Sequence, residues 1–160
     1  MRLKRLFRSS RDNKRSLLQA DEARMARFNP YEQYLNTDAE TTDQLGMVIL
    51  LYDAGIRYLR EAKGAFERND YITVGNALEK ARAVVAELRA TLNMEKGGDI
   101  SQNLLKLYNF ANQEILMTNA MREPNRIDGV IKVLVNLREG WQQLSKEMHR
   151  QDRVSANFSA

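Results

Sequence analysis

The sequence predicts an all-α protein, an antiparallel up-down four-helix bundle, and three observations predict it. Apolar residues recur at spacings of three and four over four long segments, the period of an amphipathic helix. Helix breakers are scarce, with two prolines and eight glycines in 160 residues. The links between the periodic segments are short, and short links between helices of similar length join antiparallel neighbours.

The first segment opens at Thr41-Thr42-Asp43-Gln44. Thr41 is placed to cap a helix and Gln44 to reach back to it, as in a capping box. Its stripe reads Leu45, Val48, Ile49, Tyr52, Ile56, Leu59, Ala62, Phe66. Asn69-Asp70 is a stop and restart, after which a second stripe runs Val74, Leu78, Ala81, Val85, Leu88, Leu92. Gly97-Gly98 supplies the left-handed geometry that ends a helix, and Asp99 is the expected cap of a third helix. That helix carries Ile100, Leu104, Leu107, Ala111 and Ile115 on one face. Pro124, tolerated in a first helical turn, opens the fourth, with Ile127, Val130, Ile131, Leu134, Leu137, Trp141, Leu144 and Met148.

Two helices carry more apolar residues than one stripe needs. The first adds Met47, Leu50, Leu51 and Tyr58, and the third adds Leu105, Tyr108, Phe110, Leu116, Met117 and Met121. Two readings stand side by side: a broad stripe serving a helix with two neighbours, or a groove for an amphipathic helix of a partner, to which flexible methionines adapt. Gly46, Gly55, Gly64, Gly75, Gly129 and Gly140 fall inside helical patterns, each at a cost of about 1 kcal/mol relative to alanine. Close approach of a neighbouring helix is the expected reason, and contact with a partner is the other.

Charge is unevenly spread. Residues 1–28 hold nine Lys and Arg against three Asp and Glu, a net +6, so residues 29–160 carry −2 within the formal total of +4. Three regions follow: a basic extension over 1–27, expected to be disordered; a helical body over 28–150; and a small, polar, aperiodic tail over 151–160, expected to be flexible. The absence of cysteine rules out disulfides and thiolate chemistry and fits a reducing compartment. No apolar run reaches the roughly 20 residues that span a bilayer. The N-terminal charges continue through Arg11-Asp12-Asn13-Lys14-Arg15 without leading into the apolar core of a signal peptide. A cytosolic protein is expected.

Catalytic and metal chemistry find little to use. The single histidine, His149, has Lys146 three residues before it, so the Glu-x-x-His pair of a di-iron bundle is missing. Ser/His/Asp catalysis would rest on that same residue. Gly97-Gly98 is followed by Asp99, not by the lysine and hydroxyl of a phosphate loop. Glu61, Glu67, Glu79 and Glu87 alternate with Lys63, Arg68, Lys80 and Arg82, as on a solvated helix face. No enzyme and no cofactor are expected.

Four blocks, in order over residues 29–144, carry a family resemblance. Asn29-Pro30-Tyr31-Glu32-Gln33-Tyr34, Leu51-Tyr52-Asp53-Ala54-Gly55-Ile56-Arg57 and Leu137-Arg138-Glu139-Gly140-Trp141 are three of them. The most specific is Leu92-Asn93-Met94-Glu95-Lys96-Gly97-Gly98-Asp99-Ile100, followed by Asn103-Leu104 and Leu107-Tyr108. Together they resemble the flagellin export chaperones of the FliS family. The resemblance implies a non-enzymatic bundle that binds the disordered C-terminal segment of flagellin, prevents its premature polymerisation and contacts the flagellar type III export gate. It also implies that Tyr31, Tyr34 and Leu35 form a strap over part of the groove when flagellin is absent.

Met47, Leu50, Leu51, Tyr58, Phe110 and Met117, read as exposed apolar positions, are the candidate binding residues, with Asn103 and Tyr108 from the junction; Tyr108 also reads as an ordinary core tyrosine. The sequence departs from the family pattern in two places. Ala54 precedes Gly55, where the family has the reverse order, moving the gap by one residue or about 100° around the helix. Thr41-Thr42 replaces Ser-Pro, keeping a cap and losing a pre-set backbone. Two other readings remain: a bundle that only self-associates, and a nucleic-acid-binding module working through the basic tail.

Overall fold

The structure, a computed structural model, describes residues 40–159, with side chains from Gln44 onward. Four helices follow one another: α1 Glu40–Glu67, α2 Tyr71–Ala90, α3 Met94–Met121 and α4 Asn125–Phe158. The three links hold three residues each, too few to carry the chain back along a helix, so sequential helices run antiparallel. α1 packs against α2 and α4, and α3 packs against the same two, while the diagonal pairs lie apart across the core. This is the four-helix bundle expected from the apolar periodicity.

Local chemistry sets the breaks. Behind α1, Asn69 takes a left-handed conformation (φ 56°), which asparagine tolerates. The Asp70 amide then donates to the Ala65 carbonyl at 2.9 Å. The Asp70 carboxylate accepts from the Thr73 amide at 3.2 Å and the Thr73 hydroxyl at 2.5 Å, capping α2; these bonds hold its pKa below the ordinary carboxylate value.

The start of α3 departs from expectation. The helix begins at Met94, and its cap is Asn93, whose side-chain oxygen accepts from the Glu95 and Lys96 amides at 3.2 and 3.0 Å. Gly98 (φ 50°, ψ −126°) breaks this opening turn from the long part of α3, so the glycine break is real while Asp99 is not the first cap. Gly97 has no room for a side chain: a Cβ there would lie 1.7 Å from the Ser101 hydroxyl, which is itself tied to the Asn93 carbonyl at 2.9 Å.

Two further boundaries move. α1 includes Glu40, ahead of the expected cap Thr41, whose side chain lies outside the described residues. α4 runs on to Phe158 instead of giving way to an aperiodic tail near residue 150. Every described side chain from Arg150 to Ser159 is exposed, so this last stretch of α4 packs against no other described helix. The expected extension over 1–27 and the strap residues Tyr31, Tyr34 and Leu35 lie outside the described residues.

The core is filled by Leu59, Leu78, Leu88, Ile115, Ile127 and Leu134, all buried, each worth about 1.5–3 kcal/mol of transfer free energy. Gly55 sits at its centre. A Cβ there would meet Val84 of α2 at 3.2 Å and Leu134 of α4 at 3.3 Å, so both neighbours approach α1 where the side chain is missing. The packing expected of the interior glycines therefore holds at Gly55, whereas Gly75, Gly129 and Gly140 face open space.

Candidate functional site

α1 and α3 meet through side chains alone. Tyr52 reaches from α1 and Tyr108 from α3, their ring centroids lie 6.5 Å apart, and their hydroxyls hydrogen-bond to each other at the centre of the bundle. From α4, the Trp141 indole N–H donates to the Tyr52 hydroxyl at 3.0 Å. Three helices are thus pinned by one chain of polar atoms inside an apolar core, where an unmade bond is costly. Burial raises the pKa of both hydroxyls above the ordinary tyrosine value; for Tyr52 the bonds with Tyr108 and Trp141 offset part of that rise. The pair is therefore neutral and hydrogen-bonded, a structural device.

Two residues read as exposed, Leu51 and Tyr58, prove to be interior, and the junction residue Tyr108 takes the core place that was its other reading. Leu51, Tyr58 and Tyr108 are buried. A corner helix has two neighbours, so the broad-stripe reading holds for Leu51 and Tyr58, while Met47 and Leu50 of the same set stay half-buried. Tyr58 lies under the Arg57 guanidinium at 5.1 Å and the Lys80 ammonium of α2 at 5.6 Å, so charged groups close over its ring.

The remaining candidates stay accessible in different places. Met47 and Leu50 are half-buried on α1, Met117 is half-buried on α3, and Asn103 and Phe110 are exposed there. On α3, residues 103, 107, 110, 114, 117 and 121 share a flank at 100° per residue. Glu114 in that row pairs with Arg126 of α4 at 3.2 Å, so the flank borders α4. Phe110 is 45% and Met121 54% exposed, a considerable apolar area to leave in water. Because α1 and α3 occupy opposite corners, the structure does not join Met47 and Leu50 to Phe110 and Met117 in one groove.

Exposed Ile72, Ile100, Leu144, Val154 and Phe158 were not among the candidates. Ile100 and Leu144 lie in stripes assigned to the core, and periodicity carries no signal for where a core-facing stripe outruns its neighbour. Among the described residues, no group of three or more His, Cys, Asp or Glu is arranged to hold a metal ion. No helix among them is long and apolar enough to cross a membrane.

The fold and site define the class: an all-α four-helix bundle with a hydrogen-bonded aromatic pin inside, large apolar side chains exposed on α3 and half-buried ones on α1. The chain belongs to the FliS family, whose model, described as Flagellar protein FliS, matches residues 27–148. Among its relatives, the flagellar secretion chaperone FliS of Vibrio cholerae is 33% identical over 103 residues, covering 64% of this chain and 76% of the relative. The protein of the same name from Salmonella typhimurium is 32% identical over 107 residues, 66% and 79% of the two chains. The flagellar secretion chaperone FliSB of Pseudomonas aeruginosa is 28% identical over 123 residues, 76% and 97%. The family is thus one of chaperones serving flagellum assembly and secretion.

Proposed function

We propose that this protein is a cytosolic export chaperone that binds the disordered C-terminal segment of flagellin, keeps it from polymerising and delivers it to the flagellar type III export apparatus. The observation that carries the reading is the placement of accessible apolar side chains at opposite corners of the bundle, Met47 and Leu50 on α1, Phe110, Met117 and Met121 on α3. One rigid helix in one groove does not reach both. An extended client that folds as it wraps does, and apolar burial along its length offsets the entropy lost on ordering. The relatives named as secretion chaperones support the same reading.

Gel filtration of equimolar protein and monomeric flagellin tests it. Co-elution as a one-to-one complex is expected with intact flagellin and not with flagellin lacking its C-terminal segment. Equal co-elution of the truncated flagellin would contradict the proposal.

A further inference from the structure

α4 outruns the bundle. Two ion pairs with α1 set the register: Asp53 meets Arg138 at 2.8 Å and Lys63 meets Asp128 at 2.6 Å, so ten residues along α1 match ten along α4 in the opposite direction. Continued at that register, the first residue of α1, Glu40, comes level with about Gln151, and the last two turns of α4 project past it. On this projecting end Val154 is 50% and Phe158 87% exposed. At 100° per residue they fall in one row with Gln151 and the exposed Leu144. Glu147, Arg150, Gln151, Val154 and Ser155 line an open depression of about 530 Å³ along the same side. Helical stretches shorter than about 12–15 residues are marginal in water without packing, so an apolar two-turn end gains stability from a cover.

The chain itself supplies one. Residues 1–39 precede α1, so they join the bundle at the end where α4 projects. Leu3, Leu6, Phe7, Leu17 and Leu18 recur at spacings of three, four and eleven; as a helix they would share one side within about 120°, with Lys4, Arg5, Arg8 and Arg15 on the other. Residues 19–39 span up to about 70 Å when extended, more than the roughly 51 Å length of α4, so the tether reaches this face. The family comparison sets the same two pieces apart. Its model matches residues 27–148, and the Pseudomonas aeruginosa relative aligns over 97% of its own length. Both the basic stretch and the projecting turns of α4 lie outside that match.

We infer that residues 3–18 dock as an amphipathic helix on the face of α4 that carries Val154 and Phe158. The two stretches outside the family match thereby pack on each other, and the inference does not rest on the client reading.

The chain has no cysteine, so introduced pairs report proximity cleanly in the full chain. Ser10 stands mid-way along the docking stretch and Ser155 mid-way along the face, so the two approach whichever way the stretch runs. The variant Ser10→Cys with Ser155→Cys is treated with a short bismaleimide. Ser10→Cys with Asn76→Cys, exposed on α2 near the opposite end of the bundle, measures chance encounter on the same tether. Cross-linking within one chain is expected to be about tenfold or more faster for the first pair. Adding Val154→Ser and Phe158→Ser is expected to return it to the control rate; both side chains are exposed, and an unchanged circular dichroism spectrum shows that the helices are kept. Equal rates for the two pairs overturn the inference, as does a fast rate that the two serine substitutions leave unchanged. Cross-links that join two chains make the face a contact between copies and overturn it as well. If the serine substitutions weaken flagellin binding and leave the cross-linking rate as it was, the face belongs to the client and the inference fails.

Discussion

Tyr52 and Tyr108 sit on helices whose backbones do not meet, and their length explains their presence: aliphatic side chains from α1 and α3 would stop short of each other across the core. Their hydroxyls reach but must then be satisfied in an apolar surrounding, and each is, with Trp141 as the third member. Removing the middle of this chain is worse than removing an end. Tyr52→Phe strands both the Trp141 N–H and the Tyr108 hydroxyl and is expected to cost about 2–4 kcal/mol, while Tyr108→Phe, which strands only one side of Tyr52, is expected to cost about 1–2 kcal/mol. The double variant leaves only the indole N–H without a partner, so its cost is expected to stay at or below that of Tyr52→Phe. Urea unfolding measures all three, and simple additivity would contradict the account. Because burial holds both hydroxyls protonated in the fold, their contribution is full below the ordinary tyrosine pKa and is lost as pH rises above it; the double variant is expected to lose less stability there.

At the scale of the element, glycines separate into those that shape a break, one at Gly55 that admits its neighbours, and those with open space around them. Gly98 holds φ 50° and ψ −126°, a combination that side chains rarely adopt, and it sets the opening turn of α3 against the rest of the helix. Gly98→Ala is expected to cost about 1–3 kcal/mol. Gly129, with nothing within 4 Å of where its Cβ would be, lies in a regular helix, and Gly129→Ala is expected to stabilise by about 0.5–1 kcal/mol. Shifts of the same sign in the two unfolding midpoints would contradict this division.

The elements themselves were legible in the sequence because a 3.6-residue apolar period and the breakers Asn69-Asp70, Gly97-Gly98 and Pro124 each have one local meaning. What was not legible depended on neighbours. Leu51 and Tyr58 belong to a second apolar row, and whether such a row is surface or core is decided by α2, which no periodicity within α1 reports. The short turn that Asn93 caps ahead of Gly98 was not legible, because Asn93 and Asp99 are equally good capping residues on either side of a glycine pair. The reversed Ala54-Gly55 order is resolved by packing, since Gly55 lies where both Val84 and Leu134 come close.

For the whole molecule, family membership and the bundle explain why the chemistry is apolar and why no single groove collects the accessible residues. The Tyr52–Tyr108–Trp141 pin ties α1, α3 and α4 together from inside, so the proposed mode of binding places the ordering in the client and not in the bundle. The basic stretch over residues 1–28 stands apart from this logic, since the body it joins carries a net −2.

The most direct measurement of the central claim is a calorimetric titration of the full chain with the synthetic C-terminal segment of its own flagellin, read together with helicity by circular dichroism. One-to-one binding with a gain of helix and a negative heat-capacity change is the predicted result, the signature of coupled folding and apolar burial. Absence of binding, or binding with neither helix gain nor heat-capacity change, would contradict the account.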